Sequence, residues 1–89
     1  MPYIKGELRE KWNLAMAGLL EELDKSHPTP VGELNYIFTK IAVATRPGSY
    51  TDFNAVIGAL YCAKAEFYRR MVAPYEDHMQ KKNGDVYDG

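Results

Sequence analysis

Apolar positions recur at helical spacing along three stretches of this chain. In the first, from about Gly6 to Lys25, Leu8, Trp12, Ala15, Leu19 and Leu23 form a stripe that Met16 and Leu20 widen. Glu7, Glu10, Lys11, Glu21 and Glu22 fall largely off it, and so does Leu14. The pattern predicts an amphipathic helix ending near Ser26, because Pro28 and Pro30 deny helical geometry to the residues before them.

The second stretch opens at Thr29-Pro30, where threonine suits an N-cap and proline the first helical position. Val31, Leu34, Ile37, Phe38, Ile41 and Thr45 share one face, and Asn35, Tyr36, Thr39 and Val43 the opposite side. Arg46-Pro47-Gly48-Ser49 breaks it. Ser49-Tyr50-Thr51-Asp52 is a capping-box pattern with aspartate in place of glutamate, and it starts the longest segment. Helical spacing then runs through Phe53, Ile57, Leu60, Lys64, Phe67 and Met71. Pro74 kinks or restarts that helix, and Asn83-Gly84 ends it.

The expected fold is all-α. It is a small bundle of three main helices, with the third kinked or restarted at Pro74, in one domain over residues 1–82. Residues 83–89 read as a C-terminal tail, either disordered or docked on a neighbouring subunit through Val86 and Tyr87. Eighty-nine residues hold one modest core at most. The first half of the third helix carries small residues, among them Ala55, Gly58, Ala59 and Cys62, at a density that invites close approach by another helix. Two other helices are too few to cover it, so completion by homo-oligomerisation is expected.

Charge narrows the function classes. The net charge is −1, which gives no general pull toward nucleic acid or an anionic membrane. No run approaches the length of a membrane span. One cysteine, Cys62, forms no internal disulfide and is read as a packing residue, and the location expected is the cytoplasm, of a host cell if the chain is phage-encoded. His27 and His78 stand far apart, so no metal-ligand spacing and no cofactor is expected.

Candidate chemistry concentrates on the third helix. Tyr61, Tyr68 and Tyr75 recur every seven residues, as either a packing seam or a stacking platform for a ring. Glu66 and Arg70 stand at i, i+4 and would form a surface pair, while Arg69 has no obvious acid on its own turn. The functional alternative is a fork of Arg69 and Arg70 for a phosphate or carboxylate, with Glu66 orienting one of them. The expectation is a non-enzymatic protein binding a small anionic, nucleotide-like ligand through Arg69, Arg70, Glu66, Tyr68, Tyr75 and Tyr61. The alternative is a protein-interaction module that blocks or adapts a host protein, with Asn35, Tyr36 and Thr39 as a second surface. A magnesium-dependent nucleotide hydrolase using Glu21, Glu22, Glu76 and Asp77 is a weaker third, since no catalytic motif accompanies those acids.

Met1-Pro2-Tyr3-Ile4, Gly32-Glu33-Leu34-Asn35-Tyr36, the run from Gly58 to Arg70, Ala73-Pro74-Tyr75-Glu76-Asp77 and Asn83-Gly84-Asp85-Val86-Tyr87 occur together here. This combination resembles a family of small uncharacterised proteins from phage and bacterial genomes, over nearly the whole chain. The resemblance implies a phage or prophage accessory protein and supplies no catalytic residue. Small phage-encoded oligomers often counter host defences, which is an analogy of context only.

Overall fold

A computed structural model describes residues 2–28 and 30–87. The chain is all-α, and no described residue lies in a strand. Its elements are α1 (Gly6–Lys25), α2 (Val31–Ala44), α3 (Tyr50–Phe67), a π-helical turn (Tyr68–Val72) and α4 (Ala73–Asn83).

The helix ends follow from local chemistry. Helix α1 closes where the Ser26 amide donates to the Leu23 carbonyl and the Ser26 hydroxyl to that of Glu22. A cis His27–Pro28 bond follows. Helix α2 starts one residue later than expected: Pro30 is its N-cap, with extended backbone at φ −61° and ψ 139°. The Pro30 carbonyl accepts from the Glu33 and Leu34 amides, so proline here shapes the entry without occupying the first turn. The expected cap at Thr29 lies outside the described residues. Helix α2 ends in a turn where Arg46 takes φ 53°, the left-handed region, and its amide donates to the Val43 carbonyl.

Helix α3 begins as a modified capping box. The Asp52 amide donates to Ser49 Oγ at 3.2 Å. The Asp52 carboxylate reaches one residue further back than the usual box, taking the Gly48 amide at 3.1 Å. Helix α4 stops at Gly84, whose φ of 94° suits glycine and whose amide donates to the Gln80 carbonyl.

The described residues fall into two units, Tyr3–Val56 and residues 57–87 with Pro2. Neither has a core: no described residue is buried. Within the first unit α1 and α2 meet in no broad interface. The stripe foreseen on α1 is present as a half-open surface, with Trp12 49% and Leu20 49% exposed, while Leu14 off the stripe is 81% exposed. Helix α2 is apolar on most sides and is uncovered on them, with Phe38 and Ile41 about as open as Trp12. In the second unit the remainder of α3, the π turn and α4 follow one another without a break in the helical backbone.

Candidate functional site

Pro74 explains the π turn. A proline inside a helix offers no amide to the carbonyl four residues back, and its ring crowds that carbonyl. The chain widens one turn instead of breaking, so that the Ala73 amide reaches the Tyr68 carbonyl five residues back. Single π turns inside helices often mark functional sites. This one contains Tyr68, Arg69 and Arg70, three of the residues singled out from the sequence.

Their side chains differ in state. The Tyr68 hydroxyl donates to Glu76 Oε1, across Pro74. That hydrogen bond, then the negative charge of Glu76, raises the Tyr68 pKa above the ordinary phenol value. Arg69 grips Glu66 with two nitrogens, Nη2 at 2.5 Å and Nε at 3.3 Å. The expected ion pair of Glu66 with Arg70 is therefore replaced by one with Arg69. Spacings of three and four both bring helix side chains into reach, and the planar guanidinium of Arg69 meets both carboxylate oxygens. Arg70 makes no ion pair among the described residues. Tyr61 and Tyr75 stand open, and Lys64 Nζ lies 5.5 Å from the centre of the Tyr61 ring.

A cleft of about 390 Å³ lies between α4 and the turn that follows it. Tyr75, Met79 and Tyr87 line it together with Glu76, Asp77 and Asp85. Of the residues expected to hold an anionic ligand it takes in Tyr75 alone, and neither arginine. Asp85 shapes its outer wall: Gln80 Nε2 donates to one carboxylate oxygen at 2.6 Å and the Tyr87 amide to the other at 3.0 Å. The Tyr87 amide, then Gln80, holds the Asp85 carboxyl below its ordinary pKa. The sequence alone leads one to expect a tail here. The Asp-x-Tyr spacing after glycine was the available signal, since aspartate side chains often bond the backbone two residues on.

The second surface, on α2, is built differently. The Thr39 hydroxyl donates to the Asn35 carbonyl at 2.7 Å and approaches Asn35 Oδ1 at 3.3 Å. These polar groups satisfy each other, while Tyr36 and Val43 stand 65% and 62% exposed. Lys40 Nζ lies 5.9 Å from the centre of the Tyr36 ring.

Three of the four acids expected for magnesium have other engagements. Glu21 and Glu22 both face Lys25, at 3.2 Å and 4.0 Å, and Glu76 takes the Tyr68 hydroxyl. Among the described residues no group of three or more His, Cys, Asp or Glu is placed to hold a metal ion. Cys62 is an exposed free thiol. No helix of the described residues is long and apolar enough to cross a membrane.

These features define a small all-α protein with an arginine–tyrosine surface at a π turn. The family described as a domain of unknown function (DUF6899) matches residues 1–86, and the chain belongs to it. Neither a curated protein nor a solved structure matches the chain.

Proposed function

We propose that this chain is a non-enzymatic binding protein, borne by a phage or prophage, whose helices are completed by association with copies of itself. The observation that carries this reading is exposure. Trp12, Phe38, Ile41, Phe53 and Phe67 are each about half open or more, and neither unit buries a residue. Fully burying one large apolar side chain is worth about 1.5–3 kcal/mol. A chain this small leaves several such contributions unused, and association is a common remedy in small domains.

The ligand surface in this reading is the π turn. Arg70 is a guanidinium without an acid partner among the described residues, and Arg69 is oriented by Glu66. Arginine forks suit phosphate and carboxylate oxygens, and the open rings of Tyr61 and Tyr75 suit stacking. A small nucleotide-like anion fits that chemistry. Light scattering across a concentration series is expected to show a defined oligomer. Thermal melting with a panel of nucleotides is expected to give a shift with at least one of them, lost in the Arg69→Ala, Arg70→Ala double variant. A response unchanged in that variant overturns the ligand assignment, and a monomer at high concentration overturns the assembly.

A second reading is a protein-interaction module that blocks or adapts a host protein. It is favoured by the cleft of α4, which no arginine lines, and by the open rings on α2. Recovery of a stoichiometric host protein, with no nucleotide response, would select it.

A further inference from the structure

Helix α2 carries only two charges, Glu33 and Lys40. They are seven residues apart, so they lie on nearly the same line of the helix, about 10.5 Å from one another. Tyr36 and Val43 fall on that line too, giving Glu33, Tyr36, Lys40 and Val43 at alternating spacings of three and four. This is the spacing of a helix-pairing seam. All four are exposed, and neither Glu33 nor Lys40 has an ion-pair partner among the described residues.

We infer that this seam is where α2 meets α2 of a second copy, antiparallel and about a two-fold axis. The inference rests on the self-association proposed above and assigns it one contact, which covers Tyr36 and Val43 and leaves the Phe38 and Ile41 face to others. Charge decides both the partner and the direction. A parallel pair in register would set glutamate against glutamate and lysine against lysine. An antiparallel pair sets Glu33 of each copy against Lys40 of the other, twice, with the Tyr36 rings near the axis. A two-fold contact is self-complementary in this way, because residue i meets j and j meets i. The flanking polar groups tolerate the contact, since Asn35 and Thr39 already bond one another. The opposite face of α2, with Leu34, Ile37, Phe38 and Ile41, carries no charge that could fix a register.

A charge swap tests this on the full chain. Glu33→Lys and Lys40→Glu each create two like-charged contacts, and each is expected to weaken association about tenfold or more by analytical ultracentrifugation. The Glu33→Lys, Lys40→Glu double variant restores opposite charges across the axis and is expected to return to within about threefold of the wild type. Lys40→Glu leaves the first turn of α2 untouched, so its loss of association is not a loss of helix start. Mixing the two single variants is expected to rescue association as a heterodimer. One copy then presents two lysines along the seam and the other two glutamates, so both reciprocal contacts join opposite charges. Self-association that is intact in the wild type but indifferent to both single changes, or equally weak in the double variant and in the mixture, overturns the seam and leaves the assembly reading standing. A wild type that stays monomeric overturns both.

Discussion

Arg46 shows how a single backbone angle constrains the chain. Its φ of 53° places a residue with a Cβ in the left-handed region, at a cost of about 1–2 kcal/mol relative to ordinary helical backbone. Helices usually give that position to glycine, and Gly48 comes two residues too late to serve. Arg46→Gly is therefore expected to stabilise the fold by about 0.5–1 kcal/mol, the relief being partly offset by the greater freedom of glycine in the unfolded chain. Chemical denaturation would read this as a higher midpoint at unchanged slope, and a lower midpoint would show that the arginine side chain contributes more than its backbone costs. The sequence placed the break at residues 46–49 correctly but not the strained residue within it, because proline at position 47 marks a stop without saying which neighbour turns.

At the scale of elements, the close of α1, the start of α3 and the close of α4 were readable from serine, aspartate, proline and glycine, since capping is local chemistry that a short window contains. The π turn was not, because a proline in a helical pattern can kink, end or widen the helix, and the choice depends on what braces the far side. Here the brace is the Tyr68–Glu76 hydrogen bond. Of the candidate residues, the types and spacing of Tyr68, Arg69 and Arg70 single them out and the structure sets all three in the π turn, yet the choice of Arg69 over Arg70 by Glu66 depends on rotamers that spacing leaves open. The brace makes a pH prediction. The folded pKa of Tyr68 is raised, so its hydrogen bond contributes fully below the ordinary tyrosine value and is lost as pH rises through the raised one. Ultraviolet titration is expected to show a late phenol step that disappears in Tyr68→Phe and moves to lower pH in Glu76→Gln. A late step that survives Tyr68→Phe would refute the assignment.

For the whole molecule, the pattern of apolar positions told which faces seek cover, and the structure leaves those faces open. It could not tell what covers them, because periodicity records a preference for burial and carries no information about the covering surface. The self-association proposed here would make the melting temperature depend on concentration, since an assembled state is favoured by mass action. A rise of several degrees between micromolar and near-millimolar chain is expected by calorimetry, and a melting point that stays fixed over that range would argue that one chain suffices. The Tyr68–Glu76 contact has a mechanical consequence within the chain itself. It joins the segments on both sides of Pro74 with a side-chain strut where the backbone lacks a donor. A bend at the proline has to stretch that strut, a single hydrogen bond of modest net strength, so a displacement of α4 is felt at the turn that carries Arg69 and Arg70.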